Sequence, residues 1–122
     1  MSKLNLFSLL IFTGLLAGGQ LLFKQVGLAM QGKPLLEGFL ALVRIPALYL
    51  ALSVYAVSTL LWIWILSRIP LSQAYPWVAV GLGVVPLLAW FVFNERLGPT
   101  YWVGIGFVIV GVLITQYAGR AQ

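Results

Sequence analysis

Polar side chains recur at helical spacing within a stretch of the chain that is otherwise apolar. Gln20 and Lys24, in "GGQLLFKQVG", are four residues apart and share a helix face with Thr13 and Ala17. An amide and an ammonium group can both donate hydrogen bonds to phosphate oxygens. The stripe therefore indicates a site for an anionic head group with a cation at its mouth. In the alternative interpretation, Lys24 snorkels to water and Gln20 bonds to a neighbouring helix.

Two further groups of polar and aromatic residues could complete such a site. They are Tyr55, Ser58, Thr59 and Trp62, in one sector of a helical wheel, and Gln73 and Tyr75 in "PLSQAYPW". If they line the same cavity as Gln20, they provide hydroxyl partners and stacking surfaces for a sugar. Alternatively, the hydroxyl groups bond to their own helix, the rings are packing or membrane-belt residues, and the second group is a polar helix start.

The composition indicates that membrane-spanning helices position these residues. The chain has 122 residues, of which 62% are hydrophobic and 7% charged, whereas a soluble domain has roughly a quarter charged residues. Four uncharged stretches, residues 4–23, 45–67, 69–94 and 97–119, are each long enough for a helix to cross a bilayer. Three spans follow the first and no hydrophilic mature domain does, which argues against a cleaved signal peptide.

We therefore predict an all-α integral membrane protein, a bundle of four transmembrane helices in a single domain, residues 1–122. The predicted helices cover about residues 4–24, 46–67, 70–93 and 100–117. Between the first two, "PLLEGFLALVR" at residues 34–44 is too short to span, so we expect an interfacial helix or an early turn of the second span. The short connection around Arg68 predicts a tight antiparallel hairpin of the second and third helices.

The third predicted helix contains two prolines, Pro76 and Pro86. Each removes a backbone hydrogen bond and frees the carbonyl four residues earlier, at Ser72 and Leu82. Such carbonyls must be satisfied by neighbouring helices or face a wet cavity. The prolines indicate either a bent helix held by packing or a hinge in a moving part.

The fourth helix has few polar residues and a seam of small ones. Gly104 and Gly111 are one heptad apart, which favours close approach of another helix. We interpret this seam as a packing or dimerisation face. Glu95, next to Arg96 before this helix, is interpreted as half of a local ion pair.

The distribution of positive charges does not predict how the chain is oriented in the membrane. The predicted topology puts Lys3, Arg68 and Arg120 on one side and Lys24, Lys33, Arg44 and Arg96 on the other. Three cations against four is no usable positive-inside bias. Either a partner orients the chain, or it inserts both ways and pairs with an inverted copy.

The residues that the chain lacks exclude several functions. It has no cysteine or histidine and only two carboxylates, Glu37 and Glu95, so neither a metal site, a cofactor nor a catalytic triad is expected. Without a basic run, nucleic-acid binding is not expected. No acid lies within the four spans, which argues against proton-coupled export of cations.

Three segments carry a resemblance to a known family: "GQLLFKQ", "IPLSQAYPWVAVGLGVV" and "FNERLGPTYWVGIGFVIVGVLI". They are similar to the small multidrug resistance branch of the drug/metabolite transporter superfamily. Within it, "GQLLFKQ", Ala74-Tyr75-Pro76 and Glu95 resemble the small flippase subunits that move undecaprenyl-phosphate-linked aminoarabinose across the bacterial inner membrane for lipid A modification. The resemblance covers helix 1 and most of residues 60–115.

The resemblance implies a multi-pass inner-membrane flippase rather than an enzyme, acting as a homodimer or as a heterodimer with a related small subunit. Drug exporters of this branch carry a glutamate in the middle of helix 1, where this chain reads "TGLLAGGQLL". Their proton-coupled mechanism is therefore not implied. Two alternatives remain, an exporter of hydrophobic or cationic compounds with another coupling route and a non-transporting membrane subunit.

Overall fold

The computed structural model describes residues 2–121, and the side chains of residues 2–118. It consists of six helices, α1 (Lys3–Leu28), α2 (Leu35–Val43), α3 (Pro46–Leu66), α4 (Leu71–Ala74), α5 (Pro76–Phe93) and α6 (Pro99–Ala121). Over the described residues there is no strand, and four helical segments are long and apolar enough to cross a membrane. This confirms the predicted all-α membrane fold. The side chain of Arg120, which entered the charge count, lies outside the described part.

The helix ends follow local chemistry. The Ser2 hydroxyl oxygen accepts a hydrogen bond from the backbone N–H of Asn5 at 3.1 Å and so caps α1. Pro46 begins α3, where no amide donor is needed. Helix α5 ends at Asn94, which adopts the left-handed conformation (φ 55°) typical of a helix C-terminus. The first span is longer than predicted and runs past Lys24 to Leu28.

The third predicted helix is interrupted at Tyr75. Its span, Leu71–Phe93, consists of the single turn α4 and the longer α5, which begins at Pro76. The physical reason is the missing amide hydrogen of Pro76. Pro86, in contrast, lies inside α5 without ending it.

Helices α1 and α5 form the centre of the bundle. Helix α1 packs against α3 and α5, and α6 packs mainly against α5. The predicted tight hairpin of the second and third spans is wrong, because α3 meets α4 at the turn but packs along α1 and not along α5. The α5–α6 approach is close at Gly83, where a Cβ atom would lie 3.0 Å from the Cγ2 atom of Ile105. Gly104 and Gly111 are exposed, and a Cβ at either would meet no atom within 4 Å. The glycine seam of α6 therefore faces away from the protomer.

The buried cluster occupies one half of the bundle. It comprises Leu9, Phe12, Ile65, Ile69 and Ala74, which bring together the N-terminal half of α1, the end of α3 and α4. The far half, where α1 ends and α5 approaches Asn94, holds the larger open cavities. We call the half with this cluster the closed half, although a cavity of about 260 Å³ remains in it beside Trp77 and Gln116, and the half at Lys24 the open half.

Helix α2 lies along the residues that follow α1. Gly38 faces Met30 so closely that a Cβ atom would lie 3.1 Å from the methionine methyl group. Its large apolar side chains Leu35, Leu36, Phe39 and Leu40 are exposed. An apolar surface on a short helix beside a membrane span is typical of an interfacial helix.

Candidate functional site

Lys24 pairs with the loop between α5 and α6. Its Nζ atom lies 3.4 Å from Oε1 of Glu95, and the two side chains are 48% and 44% exposed. The expected local pair of Glu95 with Arg96 does not form. The Arg96 guanidinium instead lies over the ring of Trp90, 5.5 Å from its centre. Because the ion pair is half-exposed, it is weak and open to exchange with another anion.

Gln20 and Lys24 border an open cavity of about 590 Å³ at the end of α1, which we call the Lys24 cavity. Phe23, Gly27, Leu28, Met30 and Gln31 form the rest of its wall. The structure therefore brings together the amide and the ammonium that their spacing placed on one helix face. Thr13 and Ala17, farther back on that face, are buried, so the open part of the stripe begins at Gln20.

A second cavity, of about 370 Å³, lies between α1, α5 and α6, and we call it the α1–α5–α6 groove. Its apolar wall consists of Leu16, Val78, Gly81, Leu82, Val85 and Pro86. Its polar side chains are Gln20 and Tyr101. Gln20 lines both cavities.

The predicted hydroxyl groups of α3 donate hydrogen bonds to the backbone of their own helix. Ser58 donates to the carbonyl oxygen of Val54 at 2.8 Å, and Thr59 donates to that of Tyr55 at 2.9 Å. Ser58 is buried and Thr59 is exposed. Neither lines the two cavities at Gln20, so in this conformation both hydroxyls follow the alternative interpretation of their pattern.

The predicted aromatic residues lie in two separate places. Trp62 stacks on Phe12, with ring centres 4.7 Å apart, and meets the ring of Tyr75 edge-on at 6.5 Å. This group belongs to the closed half of the bundle. Tyr55 instead meets Phe23 edge-on at 6.4 Å. Because Phe23 lines the Lys24 cavity, Tyr55 is one side chain away from it.

Gln73 contacts α6 through its backbone and not through its side chain. Its carbonyl oxygen accepts a hydrogen bond of 2.9 Å from Nε2 of Gln116, on α6. Nearby, the indole nitrogen of Trp77 is buried without a partner, the one such side-chain atom in the described region. This polar contact lies at the Pro76 break, in the half of the bundle away from Lys24.

The structure thus unites Gln20 with Lys24 and separates them from Ser58, Thr59, Trp62, Gln73 and Tyr75. Sequence reasoning missed Tyr101 and Gly81 of the groove, the partner of Glu95, and Gln116. Proximity across helices has no local signature, so nothing in the chain placed Gly81 or Tyr101 near Gln20. A polar residue near the end of an apolar helix was a usable signal for Gln116.

Comparison with known proteins settles the family. The EamA-like transporter family matches residues 1–117. The chain belongs to this family. Its membership confirms the resemblance to drug/metabolite transporters and makes the protein a multi-pass membrane transporter rather than an enzyme. No solved structure is significantly similar to this EamA-like chain.

Curated relatives of this EamA-like protein have a more specific name. One from Aeromonas hydrophila is 33% identical over 111 residues, covering 91% of this chain and 96% of the relative. One from Pseudomonas fluorescens (strain Pf-5) is 32% identical with the same coverage, and one from Salmonella newport is 32% identical over 87% of this chain and 92% of the relative. Each is named a probable 4-amino-4-deoxy-L-arabinose-phosphoundecaprenol flippase subunit ArnE.

Proposed function

We propose that this protein flips a polyprenyl-phosphate-linked sugar, such as undecaprenyl-phosphate-aminoarabinose, across the bacterial inner membrane. The observation that carries the proposal is the open cavity shared by Gln20 and Lys24, in spans that contain no acid. A cation and an amide at the mouth of a cavity suit a phosphate diester. The names of the relatives support the same substrate class.

Lys24 addresses the main physical obstacle to flipping. An unpaired charge at the bilayer midplane costs several kcal/mol or more. In the proposed mechanism the substrate phosphate displaces Glu95 from the ammonium of Lys24, and Gln20 donates a further hydrogen bond. The exchange replaces one partly solvated ion pair with another, so Lys24 is not left unpaired.

A change of access requires the open half of the bundle to close and the closed half to open. Pro76 and Pro86 are the proposed hinges, because each lacks the amide hydrogen that would stiffen its helix. Pro76 already divides α4 from α5, and Pro86 lines the groove next to Gln20. Bending at either proline would move one wall of the site against α1.

The first test is translocation by purified protein in liposomes. The amine of aminoarabinose can be modified by a membrane-impermeant reagent, so the unmodified fraction reports which leaflet holds the lipid. Lys24→Gln should slow flipping by about tenfold or more, because the phosphate loses its charged partner. Lys24→Arg keeps the charge and should retain much of the rate.

Lys3→Gln is the matched control. It removes a cation from the same helix at the opposite, exposed end and should flip at the wild-type rate. If Lys24→Gln folds and flips as fast as the wild type, the assignment of Lys24 is wrong.

A second candidate is a subunit that supports a partner and does not move lipid itself. It is favoured by the word "subunit" in the names of the relatives. The two candidates differ in the behaviour of the isolated chain. Lipid movement by the pure protein supports a flippase, whether homodimeric or monomeric. Movement only after addition of a related small subunit supports a heterodimer, and failure of the chain to affect a partner's activity excludes the supporting role.

A further inference from the structure

The α1–α5–α6 groove shares Gln20 with the Lys24 cavity but has no charged residue in its wall. The Lys24 cavity holds a cation, whereas the groove is walled mainly by leucine, valine, glycine and proline. Gln20 belongs to both walls, so the two cavities lie next to each other at this residue. Leu82 lines the groove and is exposed, so the groove opens to the protein surface.

We propose that this groove binds the first isoprene units of the polyprenyl chain, next to the phosphate held at Lys24. The inference rests on the proposed function and adds the site of the tail. An anionic head with an apolar chain directly attached matches the order of the two cavities, with the head at Lys24, the junction at Gln20 and the chain along α5. Apolar walls favour such a chain over a hydrated ligand.

The size of the groove limits how much of the chain it holds. A volume of about 370 Å³ equals that of roughly twelve water molecules in the liquid, at about 30 Å³ each. It therefore accommodates a segment of the chain next to the phosphate, and the rest of the chain stays in the bilayer. This segment fixes the head group in register with Lys24.

Gly81 provides a way to fill the groove without disturbing the fold. A Cβ atom there meets no other atom within 4 Å. Gly81 lies five residues before Pro86 on α5. Along the helix axis it is therefore about 7.5 Å farther than Pro86 from the Asn94 end of the helix. A leucine at this position should block a long chain and spare a ligand that reaches only the Lys24 end.

The test compares two probes in nanodiscs, undecaprenyl phosphate and dimethylallyl phosphate, which has a single isoprene unit. Gly81→Leu should weaken binding of undecaprenyl phosphate by about tenfold and leave that of dimethylallyl phosphate unchanged. Val85→Phe narrows the groove from the same helix and should have the same effect if Gly81→Leu fails to fold. Gly14→Leu is the matched control, because Gly14 is an exposed helical glycine with equally open space outside the groove.

Each other outcome overturns the inference in a recognisable way. If both groove variants bind undecaprenyl phosphate as tightly as the wild type, the groove is not the tail site. The proposed function is not affected by this result. Equal weakening of both probes places the effect at the head group. A change in oligomeric state assigns the groove to a second copy of the chain. If the wild type binds neither probe and flips no lipid, alone or with a related small subunit, the proposed function fails together with the groove.

Discussion

At the scale of single residues, Glu95 keeps the ammonium of Lys24 beside the cavity while no phosphate is bound. The pair joins the end of α1 to the loop after α5, at a separation of 3.4 Å. Exposed ion pairs contribute little to stability. Its significance here is electrostatic, because the carboxylate offsets part of the positive potential that would attract an anionic lipid.

Glu95→Gln should therefore tighten binding of undecaprenyl phosphate. The expected gain is roughly two- to fivefold at low ionic strength, the range of an exposed ion pair. It should shrink at high ionic strength, because salt screens exposed charges. Titration of wild type and variant at two ionic strengths measures both effects.

Glu37→Gln is the control for Glu95→Gln, since it removes the other carboxylate, which lies on α2 next to Lys33 and Arg44. It should leave binding unchanged. Weaker binding in Glu95→Gln would show that Glu95 positions Lys24 and does not compete with the phosphate.

The residues of the site differ in how far the sequence could predict them. Gln20 and Lys24 were placed together because they are four apart on one helix, a local relation. Their position relative to Glu95, Gly81 and Tyr101 depends on how α1 packs with α5 and α6, which no local pattern encodes. For Ser58 and Thr59 both interpretations were open, because a hydroxyl on a helix can bond to its own backbone or to a ligand.

At the scale of helices, the break at Pro76 is supported from α6. Gln116 donates to the carbonyl of Gln73, just before the break, so a side chain supplies a hydrogen bond in an apolar surrounding. This contact ties the closed half of the bundle together. A hinge at Pro76 would have to keep or exchange this bond as it moves.

Gln116→Leu should lower the free energy of unfolding by about 0.6 kcal/mol, the average for an interhelical hydrogen bond in a membrane. Thr115→Val is the matched control, because the Thr115 hydroxyl donates only to Val112 of its own helix. Unfolding in mixed detergent micelles compares the two. Equal stability of Gln116→Leu and wild type would show that the bond to Gln73 does not hold the break.

Gly83 fixes the distance between α5 and α6. Gly83→Leu should lower the free energy of unfolding by about 1–3 kcal/mol, because the new side chain overpacks against Ile105. Ile105→Ala in the same chain should restore part of the loss, as a double-mutant cycle would measure. Additive effects of the two substitutions would mean that the helices do not meet at Gly83.

The helices themselves were largely predictable. Long apolar stretches bounded by charges or prolines have one stable form in a bilayer, so four spans followed from composition. The sequence also indicated that Pro76 weakens the third span. It did not indicate that α1 would extend past Lys24 to Leu28, where the helix tolerates a glycine at position 27.

At the scale of the whole molecule, the bundle has two unequal halves. The aromatic and aliphatic cluster around Phe12 and Trp62 closes one half, and the cavities at Gln20 open the other. We interpret this arrangement as one access state of the proposed transport cycle. The sequence could not show which half is closed, because this depends on contacts between residues far apart in the chain.

The remaining prediction concerns self-association. Helix α6 is attached to the bundle mainly through α5, and its seam of Gly104 and Gly111 is exposed. Small residues one heptad apart let another helix approach closely in a membrane. We propose that a second copy of this chain packs on this seam.

Gly104→Leu combined with Gly111→Leu should abolish energy transfer between donor- and acceptor-labelled protein in liposomes. The stability of the protomer should not fall through overpacking, because neither added side chain begins near another atom of the protomer. Gly106→Leu is the control on the same helix, since position 106 is rotated by about 160° from position 104 at 3.6 residues per turn. It should leave energy transfer intact. If all variants associate like the wild type, α6 faces lipid and the partner binds elsewhere.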